Sequence, residues 1–127
     1  MMFRVSHKLA PEEKLMRTPR SEIPRLLELS RDGDAKVRRK AIQALCPCEV
    51  KIHDPQIWDR FLEMAGDPDA WVRRWIVHVL CDGSPSIYET RILATLEKFQ
   101  HDSDERVRKP ARKALAAHRH SGTLNVL

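Results

Sequence analysis

The pattern Asp-x-Asp-x-x-Val-Arg-(Arg/Lys) occurs three times in this chain, starting at Asp32, Asp67 and Asp102, each copy 35 residues after the last. A fixed period in the thirties marks a structural repeat, and repeats of that length stack into solenoids. A helical hairpin with one apolar face per helix cannot bury both faces alone. Stacked neighbours make one continuous core, and about three units are needed. Three are present, so the expected fold is an all-α superhelical solenoid of three antiparallel helix pairs.

The apolar residues agree with that reading at helical spacing. In the first repeat, Ile23, Leu26, Leu27 and Leu29 form one stripe, opened by Ser21 as N-cap with Pro24 in the first turn. Asp34 caps a second helix whose face carries Val37, Ala41, Ala44, Leu45 and Cys48, and Pro47 predicts its end near Leu45. Trp58, Phe61, Leu62 and Met64, then Val72, Ile76, Val79 and Leu80, are the counterparts in the second repeat. Ile87, Ile92, Leu93, Leu96 and Phe99, then Val107, Ala111, Ala114 and Leu115, complete the third. Pro110 falls in the second turn of the last helix, where it removes a hydrogen bond if that helix begins before Arg106. The repeats are expected over about 21–48, 54–82 and 86–117. Before them, residues 1–20 form a capping segment with a short helix over about 11–17 that covers the open end. After them, 118–127 form a tail whose Leu124, Val126 and Leu127 can fold back on the last hydrophobic edge.

At these residues the chain resembles the HEAT-repeat family. The likeness rests on the paired helices, the Asp-x-Asp turn, the Val-Arg that follows, and the endings Ala41 to Leu45, Ile76 to Leu80 and Ala111 to Leu115. It covers about residues 21–117. The resemblance implies a ladder between neighbours in which Arg38 reaches Asp67 and Arg73 reaches Asp102, leaving Asp32 and Arg108 at the ends. It also implies a scaffold that binds other macromolecules on a concave face lined by the second helix of each pair. Pro110, and Glu97 in place of Leu27 and Leu62, depart from the pattern and suggest a partly solvated last repeat.

On those inner helices, the residue two beyond each motif valine points about 200° away from the core. Arg39, Arg74 and Lys109 therefore fall in one exposed row, with Gln43, His78 and Lys113 beside it and Lys36, Trp71 and Arg106 on its flank. With neighbouring helices about 8–10 Å apart, the row is a compact cationic strip. It suits an acidic peptide, a phosphate or a nucleic acid backbone; it also suits an ordinary solvated face balanced by nearby acids. Trp71 stands where the other repeats have Lys36 and Arg106, and Trp75 where they have Lys40 and Pro110. Both are candidate anchors, since aromatics and arginine dominate binding hot spots. The alternative is that each lies over its own helix or the N-terminal segment.

Cys46-Pro47-Cys48 is the one hint of metal or redox chemistry. Cys81 follows Cys46 by 35 residues, and His53 could join them in a three-cysteine, one-histidine set. Cys-x-Cys is looser than the usual zinc spacing, and burial as small hydrophobes is the ordinary fate of such thiols. No cofactor is expected.

Composition narrows the rest. Lysine and arginine number 23 against 18 acids, a net charge of +5 that favours an acidic partner. No apolar run of about 18 residues exists, so no membrane span is expected. The first eight residues lack the apolar core of a secretory signal, and an odd count of three cysteines points to a reducing cytoplasm. There is no glycine-rich phosphate loop, nucleophile elbow or His-Glu-x-x-His. Some helical-repeat families catalyse, such as alkylpurine DNA glycosylases and bilin lyases, but three repeats are too short to enclose a substrate as those do. The expected role is non-enzymatic: a small adaptor that binds a protein partner through its basic, tryptophan-bearing face. A nucleic-acid-binding module using the same strip is the alternative, and an accessory subunit of a modifying enzyme is the third reading.

Overall fold

A computed structural model of the protein describes residues 17–122. Among the described residues there are seven α-helices and no strand: α1 (Ile23–Leu29), α2 (Ala35–Leu45), α3 (Pro47–Val50), α4 (Pro55–Glu63), α5 (Ala70–Leu80), α6 (Glu89–Phe99) and α7 (Glu105–Ser121). The pairs α1/α2, α4/α5 and α6/α7 are the three hairpins, and the fold is an all-α solenoid.

Each Asp-x-Asp turn works by a division of labour. The first aspartate accepts the backbone N–H of the second, at 2.8 Å for Asp32 and 2.9 Å for Asp67 and Asp102. This folds the turn locally. The second aspartate caps the inner helix: Asp34 accepts from the N–H of Lys36, Asp69 from that of Val72 and Asp104 from that of Arg106. An N-cap carboxylate satisfies one of the orphan donors at a helix start and meets the positive end of the dipole. Asp54 does the same for α4 through the N–H of Gln56. Ser21 does not cap α1; it lies in a 3-10 turn, Arg20–Glu22, and the N-cap residue Glu22 makes no side-chain cap.

The inner helices stack side by side, α2 on α5 and α5 on α7, while α4 touches α6 more lightly. A stack tighter on one side curves toward that side, which sets α2, α5 and α7 on the inner surface. Between the layers, Trp58 meets Phe61 edge-on with ring centres 5.4 Å apart and stacks on Tyr88 at 6.0 Å. Val72, Ile76, Leu80, Leu96, Val107 and Ala111 are fully buried.

Two expected core residues are exposed, and Val37 is only half-buried. Cys48 is exposed because Pro47 ends α2 and starts the separate α3, which breaks the helical spacing. Ile87 is 84% exposed in a 3-10 turn, Ser86–Tyr88, ahead of α6. Conversely, Ile42 and Val77 are fully buried. Each is five residues past the motif valine, on the side of the helix that carries Arg38 and Arg73 and so faces the next repeat. Arg112 holds that position on α7 and is exposed.

α7 starts at Glu105, so the bond from position 110 to the Arg106 carbonyl is lost at Pro110. The helix nonetheless runs on through Ser121, four residues into the expected tail, and ends at Gly122 with φ 75°. There a glycine costs least. Lys51 ends α3 in the same left-handed conformation, φ 67°, without that freedom. The expected capping helix over 11–17 lies outside the described residues save for Arg17, and so do Leu124, Val126 and Leu127. Thr18 is described and buried. Its hydroxyl donates to the Ala44 carbonyl at 2.8 Å, and the N–H groups of Arg17 and Thr18 both donate to the Glu49 carbonyl. No helix among the described residues is long and apolar enough to cross a membrane.

Candidate interaction surface on the inner helices

The motif arginine joins one repeat to the next. Arg38 donates through Nε and Nη2 to the two carboxylate oxygens of Asp67 at 2.8 and 2.9 Å. Arg73 repeats this fork with Asp102 at 2.9 and 3.1 Å. The remaining guanidinium nitrogen turns back to the chain's own turn: Arg38 Nη1 to the carbonyls of Asp32 and Gly33, Arg73 Nη1 to that of Asp67. Arg108 makes the backward bond to the Asp102 carbonyl at 2.7 Å. The side chains of Arg38 and Asp67 are 12% and 7% exposed, so the fork is largely desolvated, and the hydrogen bond to Asp67 holds the Arg38 guanidinium above its ordinary pKa. A planar group whose three nitrogens all donate, two of them to one carboxylate, is the arrangement arginine supports and lysine cannot.

The opposite side of the inner helices carries the cationic row. Lys36, Arg106, Lys109 and Lys113 are exposed; Arg39, Gln43, Arg74 and His78 are half-buried. Trp71 is 44% exposed, and the Arg106 guanidinium lies over its ring, 4.5 Å from the centre. That guanidinium is itself held by the cap of its own helix. Arg106 Nε and Nη2 donate to the two oxygens of Asp104 at 3.0 and 2.7 Å, and these bonds depress the Asp104 carboxyl to about 2. Cap, arm and ring thus form one chain of contacts from the third repeat back to the second. Trp75 is placed differently. It is partly buried against the core and meets the His78 ring edge-on at 5.3 Å. Lys109 pairs with Glu105 at 3.5 Å.

The thiols gather at the far ends of α2 and α5. Cys46 donates to Asp82 Oδ2 at 3.2 Å, and Cys48 donates to Cys46 Sγ at 3.1 Å. Burial is the main cause that pushes the Cys46 thiol well above its ordinary pKa, and it raises Cys81 to about 12. Cys81 is buried apart from this cluster, and His53 is exposed on the wall of a neighbouring cleft. The structure therefore does not bring together the four residues that sequence spacing suggests; it substitutes Asp82.

With the turn, the ladder and the hairpin stack in place, one comparison decides the family: a family model described as HEAT repeats matches residues 23–116. The chain belongs to the HEAT-repeat family. No curated protein and no solved structure matches it. HEAT repeats suggest a helical scaffold for protein interaction and are generally non-catalytic.

Two contacts of this HEAT array escape sequence reasoning. Arg60 on α4 donates from Nε to the buried Ser30 hydroxyl and from Nη2 to the Ser30 carbonyl, both at 2.9 Å, tying the outer helices together. The repeat does not signal it: Arg25 stands 35 residues before Arg60, but Thr95 stands 35 after, and Ala65 and Gln100 hold the later positions equivalent to Ser30. Asp82 looks like a turn residue in the sequence. Only its approach to Cys46 and, at 3.8 Å, to His78 shows otherwise.

Proposed function

We propose that this HEAT-repeat protein is an adaptor that holds an acidic partner protein against the solvent face of α2, α5 and α7. The observation that carries the reading is Trp71. It is a large aromatic, 44% exposed, set in a row of cations and propped by the Arg106 guanidinium. An exposed ring already held in one orientation loses little freedom on binding, and rigid aromatic anchors beside arginine are the usual centre of a protein interface. Lys36, Arg39, Arg74 and Lys113 surround that anchor with positive charge, and His78 and Gln43 offer hydrogen bonds. Trp75, one turn along the same helix, is packed against the core and edge-on to His78.

A phosphate backbone is the competing ligand for the same strip. Two of its cations already face carboxylates, Arg106 on Asp104 and Lys109 on Glu105, which favours a protein partner. Salt separates the two readings. Neutralised phosphates release counterions and give a steep fall of affinity with salt concentration, whereas an aromatic-centred interface responds weakly. The direct test compares capture from lysate by the native chain and by a variant with Arg39, Arg74 and Lys109 all changed to Glu. A partner retained equally by both would refute the assignment of this face, and a nucleic acid as the captured species would refute the protein reading.

A further inference from the structure

The thiol cluster at the rim of the first two repeats is independent of the partner face. Cys46 Sγ, Cys48 Sγ and a carboxylate oxygen of Asp82 all lie within 4.8 Å of one another. Tetrahedral zinc, with bonds of about 2.3 Å to sulfur and about 2.1 Å to oxygen, holds its donors roughly 3.5–3.8 Å apart. The three atoms here need only small adjustments to reach that spacing. A cleft of about 280 Å³ opens beside them, lined by Cys48, Asp82 and His53 among others. Cys48 is exposed and gives a direct entry path. Asp82 Oδ2 also lies 3.8 Å from His78 Nε2, beyond hydrogen-bond reach.

We propose that Cys46, Cys48 and Asp82 form a zinc site that joins the first repeat to the second, with its fourth corner open to the cleft that His53 lines. Two thiolates and one carboxylate make a borderline-soft donor set, which suits zinc over calcium or magnesium. The proton balance is simple. The Cys46 thiol now donates to Asp82 and the Cys48 thiol to Cys46. On binding, both S–H protons leave to water, both sulfurs bond the ion, and nothing is oxidised or reduced. Cys81 takes no part, although the 35-residue interval pairs it with Cys46.

The test uses the full chain, reduced and stripped of metal, titrated with zinc alone and separately with cobalt. One zinc per chain is expected, together with a higher melting temperature, since an ion that binds only the folded state stabilises it. The cobalt form should show the intense visible bands of four-coordinate cobalt and sulfur-to-cobalt charge transfer. Cys48→Ser and Asp82→Asn should each weaken zinc binding at least tenfold while leaving the helical circular dichroism intact, and Cys81→Ser should leave the affinity unchanged. Three results overturn the site: no saturable zinc binding, a cobalt spectrum without thiolate charge transfer, or equal losses in Cys81→Ser and Cys48→Ser.

Discussion

The guanidinium of Arg106 lies 4.5 Å from the ring centre of Trp71, so the third repeat reaches back to steady an aromatic on the second. If that ring is the anchor of a protein interface, Trp71→Ala should leave folding stability within about 1 kcal/mol, as surface changes usually do. Partner binding should weaken at least tenfold, or about 1.4 kcal/mol. Chemical denaturation and equilibrium binding measure the two separately. A mutant that unfolds easily yet binds normally assigns Trp71 to packing.

The arm that props this ring should respond to acid. Asp104 is held near 2, below its ordinary 3.8, by its bonds to Arg106. A carboxyl depressed in the folded state adds stability above its ordinary value and loses that contribution as pH falls from there toward the folded value. The indole N–H resonance of Trp71 should stay fixed from pH 8 to about 4 and move as pH drops toward 2. Asp104→Asn, which still caps the helix, should show the moved resonance already at pH 7. An identical resonance in variant and native chain at neutral pH would mean that Arg106 stays over the ring without its carboxylate.

The ladder offers a comparison inside one sequence. Asp67 and Asp32 stand at the same repeat position, but of these two only Asp67 receives an arginine fork from the described residues. Asp67→Ala leaves Arg38 desolvated and unpaired and should cost about 3 kcal/mol. Asp32→Ala loses one turn hydrogen bond, about 1 kcal/mol. Equal losses in urea melts would show that the fork adds nothing beyond the turn.

Pro110 deletes a backbone bond to Arg106 and crowds that carbonyl within α7. Replacing it with alanine should therefore stabilise the protein, by about 1–3 kcal/mol. A loss of stability instead would show that the ring's packing outweighs the missing bond.

Thiol chemistry should be selective in the metal-free chain. Burial raises Cys81 to about 12 and pushes Cys46 upward as well, while Cys48 is exposed. At pH 8, roughly one part in ten thousand of Cys81 is thiolate. Iodoacetamide followed by mass spectrometry should modify Cys48 first, with Cys46 and Cys81 protected until denaturant is added. Fast labelling of Cys81 in the native chain would contradict its burial.

The sequence exposes the fold through its period. Once Asp32, Asp67 and Asp102 are aligned, the caps and the inner stripe follow from helical geometry, and the reach of Arg38 to Asp67 follows from the resemblance to HEAT repeats. Contacts that do not repeat are invisible to that argument. Ile42 and Val77 recur at one interval but face sideways, so a two-layer reading leaves them outside the core, and Arg112 at the third position hides the pattern further. Cys48 and Ile87 fail for the opposite reason: spacing assumes one unbroken helix, and Pro47 and Pro85 each restart the chain in a new direction. Trp75 shows the same limit on the candidate surface, where a residue on the outer half of a helix can still lean on its neighbour. Asp82 gains its meaning only from the sulfur that the fold brings beside it.

The forks from Arg38 to Asp67 and from Arg73 to Asp102 both stand at the edge where the inner helices begin. Arg60 and Ser30 meet at that same edge. At the far ends of α2 and α5, the polar link between repeats is a thiol donating to Asp82. The array is therefore mechanically anisotropic. Sliding one repeat along the next strains two-pronged charged bonds, whereas spreading the far ends works against apolar contact and the weak bond from Cys46 to Asp82. The arginine forks thus mark the stiffer edge of the array, and a force that spreads the far ends meets less polar resistance than one that shears the forks.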